Sequence, residues 1–304
     1  MITKSSQYAT NQHDLDKLCE WQNQWLLKFN TKDSKCKVLH VGRNNPMHKY
    51  KLGDEVLPEV DNEKDLGVYV DASLTWDENI AKSVAKARSC IAWVKRNVIS
   101  RDINVMKNIY VSLIRPHLEY CVQLWSPTPR YGNWHIIDSI EDVQRTYTRL
   151  IDGIGLMTYK DRLNKLNLTT LLERRARGDL IEAYRIISGI ANYGNDLFRM
   201  SRSGMNILID GCFKRNSNAS DFFSRRVAGY WNKIPSHVKT APSLNAFKSR
   251  LETFKRCKLY DRGNYWELSD IVFDRINDSS RGDYVDFMKE NTDIAKRRGI
   301  NTHM

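Results

Sequence analysis

The strand-forming patterns of this 304-residue chain are confined to a short stretch near its N-terminus. Alternating or β-branched segments occur at residues 35–41, at 50–57 around Gly53-Asp54, and at 65–71, where Leu66, Val68 and Val70 would share one face. Beyond residue 76 the apolar positions recur at helical spacing. The sequence therefore predicts an α+β fold, mostly α, in which a small antiparallel sheet precedes a long helical region.

The helical pattern is clearest over residues 77–98. Its inward-facing side chains are predicted to be Ile80, Val84, Ala87, Ile91 and Val94. An earlier helix is predicted over residues 13–29 with Asp14 as its N-cap, after a polar, unpatterned segment at 1–11. The next helix is predicted at 104–120, with a kink or end at Pro116. Later helices are predicted at 136–151, 159–166, 170–189 and 222–231. Another is predicted from an N-cap at Ser243 to about residue 258, and a weak one at 283–297.

The positive charge of the chain is concentrated in two blocks. The formal net charge is +12, from 48 Lys and Arg against 36 Asp and Glu. Residues 79–118 hold eight basic residues and one acidic residue, and residues 199–258 hold thirteen and three; the other segments are neutral or acidic. Like charges repel unless a polyanion compensates them, and a nucleic-acid backbone does so through phosphate contacts. One such block could be a solvated helix face, but two blocks favour binding.

Several other functional classes are disfavoured. No apolar run is long enough to span a bilayer, and no apolar segment follows Met1, so we expect an intracellular protein, cytoplasmic or nuclear, without a membrane partner. The six scattered cysteines form no C-x-x-C pair and are predicted to be free buried thiols. Cys36, His40 and His48 could be offered as metal ligands, but a fourth ligand is missing, and we expect no metal site.

A series of short motifs stands in order between residues 13 and 254. They lie at 15–21, 28–30, 35–42, 63–71, 112–120 (SLIRPHLEY), 125–127, 168–180, 222–227, 231–235 and 247–251. Their order and spacing resemble the C-terminal part of the reverse transcriptases of jockey-like and chicken-repeat-like non-LTR retrotransposons. The resemblance implies a palm remnant at 1–75 and thumb-like helices at 76–130. It further implies a helical C-terminal region at 131–200, a linker at 201–220, and a basic helical segment and tail at 221–304.

The resemblance also suggests site residues. Asn30, Lys35 and Lys37 resemble motif D, whose lysine assists proton transfer to pyrophosphate, although an exposed strand end would look the same. Leu66, Gly67 and Val68 resemble the primer grip, where glycine lets the backbone approach the primer; a tight strand register is the alternative. The residues expected to bind nucleic acid are Lys82, Lys86, Lys95, Arg96, Arg101, Lys107, Arg215, Arg225, Arg226, Lys248 and Arg250.

The resemblance does not extend to the catalytic aspartates. Full-length members of the family use Mg²⁺ held by an early palm aspartate and an Asp-Asp hairpin, and no Asp-Asp pair occurs in this sequence. We therefore expect no catalytic residue, no cofactor and no polymerisation by this chain alone. The hypothesis is a truncated RNA-directed DNA polymerase fragment of a transposable element that binds RNA and DNA template–primer without sequence preference. The alternatives are a decayed or co-opted non-catalytic protein with a structural or partner-binding role, or a truncated gene model of an active enzyme.

Overall fold

The fold is mostly helical, with small two-stranded sheets. The computed structural model describes residues 4–31, 35–42, 45–127, 134–192, 197–208 and 222–258. It divides the chain into an N-terminal unit, Met1–Lys82, and a C-terminal unit, Ser83–Met304. Of the predicted features, the weak helix at 283–297 and most of the linker at 201–220 lie outside the described residues.

The N-terminal unit combines one long helix with short strands. Helix α1 is Lys4–Trp25, and the strands are β1 (Val38–Leu39), β2 (Lys51–Leu52), β3 (Glu55–Val56), β4 (Glu59–Val60), β5 (Asn62–Asp65) and β6 (Val68–Asp71). Strands β1 and β4 are parallel, whereas β2 pairs with β3 and β5 pairs with β6 as antiparallel hairpins. The predicted hairpin around Gly53-Asp54 is confirmed, since Leu52 and Glu55 face each other across it.

The parallel pairing of β1 with β4 departs from the predicted antiparallel sheet. Two further predictions for this unit are wrong. Helix α1 already includes Lys4, so Asp14 lies inside the helix and is not its N-cap. The side-chain amide of Gln12 explains part of the extension, because it bonds the backbone N–H and carbonyl of Lys51 on β2, each at 3.0 Å. The helix ends at Trp25, before the predicted Phe29, because Leu26 has the left-handed φ of 56°.

The second error concerns the segment predicted as one strand at 65–71. Leu66 and Gly67 form the two-residue turn between β5 and β6, with φ values of 44° and 92°. Positive φ at both central residues is what a type I′ hairpin turn requires. Leu66 is consequently 85% exposed, while Val68 is buried in the strand that follows.

A carboxylate fixes the chain where it enters the next helix, α2 (Asp77–Asn97). The Asp71 side chain accepts hydrogen bonds from the backbone N–H groups of Ser73, Thr75 and Trp76, at 2.9 to 3.2 Å. Asn79 on α2 in turn accepts a bond from the backbone of Tyr69, at 3.1 Å. The prediction for α2 is confirmed, and all five side chains expected to face inward are buried.

The C-terminal unit continues α2 and adds further helices. These are α3 (Ile103–Ile109), a π-helical turn (Tyr110–Ile114), α4 (Pro116–Glu119), α5 (Val122–Trp125), α6 (Trp134–Thr148), α7 (Tyr159–Leu166), α8 (Leu171–Ile187), α9 (Phe223–Trp231), α10 (Ser236–Lys239) and α11 (Leu244–Lys258). The predicted interruption at Pro116 is confirmed: Arg115 N–H bonds the Tyr110 carbonyl five residues back, and Pro116 opens α4, where no N–H is needed. The predicted Ser243 cap is also confirmed.

The main core of this unit lies between α8, α9, α10 and α11. Its largest fully buried side chains include Trp231 and Phe247, whose rings stack with centroids 6.1 Å apart. Tyr184 stacks on Phe247 at 4.3 Å and bonds the Ala241 carbonyl. A hairpin of β7 (Arg199–Met200) and β8 (Ile207–Leu208), which the sequence did not predict, buries Ile207 in the same core.

We expect replacement of Leu66 by asparagine to stabilise the N-terminal unit. Leucine at positive φ costs about 1–2 kcal/mol, which asparagine largely avoids, and little apolar burial is lost from a side chain so exposed. The free energy of unfolding from denaturant titration should rise by about 0.5–1 kcal/mol in Leu66→Asn. Leu66→Ala is the matched control, because it keeps a strained residue at the turn; equal stability of the two variants would contradict the explanation.

Candidate nucleic-acid interface

The face of α2 opposite its buried stripe is basic. Within the C-terminal unit, Ile91 and Val94 are 4% and 0% exposed on one side of the helix. Lys86 and Arg96 lie on the other side and are exposed, with Trp93 between them. From residue 79 to residue 101 the sequence contains six basic residues and no acidic residue. This surface, Lys86, Trp93 and Arg96, is called the α2 face below.

The helix dipole accounts for part of this charge. Lys95 and Arg96 lie in the last turn of α2, where cations stabilise the partial negative charge of the free carbonyls. Lys86 lies about two turns earlier, beyond the reach of that effect. Within the described residues, Lys86, Lys95 and Arg96 have no carboxylate at ion-pair distance, whereas Arg88 on the same helix bonds Asp142 on α6 at 3.1 Å.

The side chain of Arg101 is hydrogen-bonded to the end of α2. Its guanidinium donates to the carbonyl of Val98 and, at 3.1 Å, to the carbonyl of Lys95. These bonds satisfy helix carbonyls that have no partner within the helix. Of the predicted binding residues in this block, Arg101 therefore caps a helix, and Lys107 lies half-buried on α3.

A histidine and an ion-pair network lie around Pro116. Burial, and then the charge of Lys86, lower the pKa of His117 on α4, so this imidazole adds no positive charge to the α2 face at neutral pH. Glu119 accepts a two-pronged bond from Arg174 on α8 and lies 3.5 Å from the Nε atom of Arg115. Two arginines thus share one carboxylate.

The predicted basic residues of the second block are in four different situations. Arg215 lies outside the described residues. Arg225 and Lys248 are partly exposed, and Arg250 donates at 2.5 Å to the His237 carbonyl at the end of α10. The assignment of Arg226 to a nucleic-acid surface is wrong, because its side chain is 1% exposed.

Arg226 is held by a buried polar cluster. Its Nε and Nη2 atoms bond the two carboxylate oxygens of Asp179 on α8, at 2.7 and 2.9 Å. The same Nη2 reaches the carbonyls of Val122 and Gln123 on α5, each at 2.9 Å. Burial raises the pKa of Asp179, and the charge and hydrogen bonds of Arg226 oppose that rise. The geometry joins α5, α8 and α9 and leaves no access for a phosphate.

The residues suggested for motif D and the primer grip lie in the N-terminal unit. Lys35 is exposed, and Lys37 is bonded to Glu63 on β5, a contact that lowers the pKa of that carboxyl group. The Asn30 carbonyl lies 3.5 Å from the Cys36 sulfur. Leu66 and Gly67 form the exposed turn described above, and Lys82 lies 5.7 Å from the ring centroid of Tyr69. The roles in motif D and the primer grip stay predictions.

Metal-binding geometry is not found in the described part of the chain. No group of three or more His, Cys, Asp and Glu side chains there could hold a metal ion. His40 is buried, and its Nε2 atom is 3.6 Å from Glu59. Cys19, Cys36, Cys90 and Cys121 are free thiols as predicted, but they are partly exposed and not fully buried. No described helix is both long enough and apolar enough to cross a bilayer.

A second set of titratable groups lies in the core near the start of α8. The Glu141 carboxylate is fully buried; it accepts bonds from the Tyr159 hydroxyl and, at 2.9 Å, from the backbone N–H of Leu171. Gln144 bonds the hydroxyls of Tyr110 and Tyr159. Burial raises the pKa of Glu141 and of both tyrosines. Because no solvent reaches these groups, the arrangement joins α6, α7 and α8 and does not form an open catalytic site.

Trp93 was not among the residues predicted to bind nucleic acid. Its side chain is 50% exposed at the centre of the α2 face, seven residues after Lys86 and three before Arg96. The signal was available, because Trp93 falls outside the apolar stripe of the helix and inside the acid-free segment. A large aromatic residue in that position is atypical of a purely solvated helix face.

Removal of one partner of the Arg226–Asp179 pair should be strongly destabilising. Asp179→Ala leaves the Arg226 charge buried without its carboxylate, and we expect a loss of about 3–5 kcal/mol in the free energy of unfolding. Asp142→Ala, which removes the more exposed ion pair between α6 and Arg88 on α2, is the control and should cost less than about 1 kcal/mol. A cost for Asp179→Ala as small as that of the control would show that the buried pair does not hold the three helices together.

Glu141 should make stability fall as pH rises. Its pKa in the folded chain is raised above the ordinary value of 4.5, so the unfolded chain releases this proton first. Stability from the protonated group is complete below pH 4.5 and is lost as pH rises through the folded-state pKa. Glu141→Gln cannot titrate, so the difference in unfolding free energy between the variant and the natural chain should grow across this range. A pH-independent difference would contradict the shift.

Comparisons with known proteins add no identification. No family model, curated protein or solved structure matches the chain.

Proposed function

We propose that this chain binds nucleic acid without sequence preference, through the α2 face of the C-terminal unit. The observation that carries the proposal is a helix face with exposed, unneutralised basic side chains in a segment of 23 residues that contains no carboxylate. Lysine and arginine at such a face bind phosphates by charge and release counterions, which needs no particular base sequence.

We further propose that the chain derives from the reverse transcriptase of a non-LTR retrotransposon. The proposal rests on the ordered motifs between residues 13 and 254, and a small strand-containing unit followed by helices is compatible with a late palm followed by a thumb. In that interpretation α2 is a thumb helix, and its basic face would lie along template and primer. The proposal assigns binding to this chain and leaves polymerisation unassigned.

A structural or partner-binding role is the second candidate, and the second basic block favours it. Arg226 is bonded to Asp179, Arg250 bonds the His237 carbonyl, and Glu252 of the same block lies 3.7 Å from Arg177 on α8. These contacts link helices, so the charge of residues 199–258 overstates the positive surface available to a polyanion. Such a role predicts no affinity for nucleic acid at physiological salt.

The salt dependence of binding tests the main proposal. We expect the affinity for a short duplex or single strand to fall steeply with salt, and its logarithm to fall linearly with the logarithm of salt concentration. The double variant Lys86→Glu/Arg96→Glu should bind at least about tenfold more weakly, with the slope reduced by about 2, because two phosphate contacts are lost.

The double variant Lys160→Glu/Lys165→Glu is the matched control for this titration. Both are exposed lysines on α7 in the same unit, so their replacement changes the net charge by the same amount without altering the α2 face. Equal losses in the two double variants would show that net charge, and not this face, governs binding. No measurable affinity in the natural chain would favour the structural role.

A further inference from the structure

Trp93 differs from the buried tryptophans of the same unit. Trp231 and Trp125 are 1% and 2% exposed, and each indole N–H bonds a backbone carbonyl, at 3.0 and 2.7 Å. Trp93 is 50% exposed, and among the described residues its ring has neither a hydrogen bond nor an aromatic neighbour. The indole therefore leaves a large apolar surface in water, which core packing of α2 does not require.

Trp93 lies between two basic residues on the same face of α2. Lys86 precedes it by two helical turns, about 10 Å along the axis, and Arg96 follows it by about 4.5 Å on the same face. An aromatic ring flanked along one line by cations is the arrangement that single-strand binding surfaces use, with bases stacked on rings and phosphates held by the cations. Charge complementarity thus favours a polyanion over an apolar protein partner for this surface.

We infer that Trp93 stacks on an unpaired base of single-stranded RNA or DNA while Lys86 and Arg96 hold the flanking phosphates. This inference rests on the proposed nucleic-acid binding and adds the form of the ligand. A closed duplex fits less well, because its bases are stacked on one another and exposing one face costs a few kcal/mol of unstacking. Each base has an aromatic face, so stacking adds affinity without sequence preference.

The experiment compares three ligands on the full chain. They are an oligothymidylate of about 16 nucleotides, an abasic strand with the same number of phosphates, and a relaxed, covalently closed duplex that has neither ends nor unpaired bases. Trp93→Ala should weaken binding of the oligothymidylate about 5- to 100-fold and change binding of the other two less than about twofold. Trp93→Phe should restore most of the loss, whereas Trp93→Leu, which is apolar without a ring, should not.

Matched controls separate stacking from general effects. Trp25→Ala removes an exposed tryptophan, 61% exposed, at the end of α1 in the other unit and should bind all three ligands like the natural chain. Helical content by circular dichroism checks that each variant folds; if Trp93→Ala does not fold, the comparison of Phe with Leu decides the question.

The possible outcomes distinguish this inference from the proposed function. If the natural chain binds none of the ligands, both are overturned. If it binds, but Trp93→Ala leaves the oligothymidylate affinity unchanged or lowers all three affinities equally, the proposed function survives and stacking by Trp93 is overturned. If Leu restores binding as well as Phe, the contact is apolar and not stacking, and the inference is also overturned.

Discussion

The C-terminal unit depends on one buried ion pair. Arg226 and Asp179 are both almost inaccessible to water, and a charge in such a place is tolerated only when its partners satisfy it. The Arg226 guanidinium donates hydrogen bonds to four acceptors, which are the two carboxylate oxygens of Asp179 and two carbonyl oxygens of α5. Because these acceptors belong to helices far apart in sequence, the pair fixes their relative positions in a way that non-directional apolar packing around Trp231 would not.

The basic residues of the chain consequently serve two different purposes. Arg174 and Arg177 on α8 and Arg226 on α9 are paired with carboxylates and contribute to the internal structure. Those on α2 include Lys86 and Arg96, which lie on a face without carboxylates, so their field extends into solvent. The net charge of +12 is therefore a poor measure of the capacity to bind a polyanion, since only the charge that is not neutralised locally can attract a partner.

The sequence predicts correctly those helices that bury one regular stripe of apolar side chains. Its predictions are wrong where a specific contact between distant residues determines the structure. Helix α2 was predictable because five apolar residues at helical spacing fix its inner face. The start of α1 was not, since a mostly exposed helix has little apolar pattern and part of its anchorage is a glutamine. Leu66 gave no turn signal, because leucine rarely occupies positive φ. Arg226 was misassigned because a sequence cannot show that its partner, 47 residues earlier, is buried with it.

The pairing of Gln12 with Lys51 has a consequence for how the chain behaves among its own copies. Strand β2 has β3 on one side, and its backbone N–H and carbonyl at Lys51 are engaged by the amide of Gln12. A side-chain amide presents the same donor and acceptor as a peptide group, so Gln12 takes the place that a neighbouring strand would occupy. A strand edge blocked in this way is a poor template for intermolecular β-pairing and aggregation, which is the hazard of short sheets with open edges.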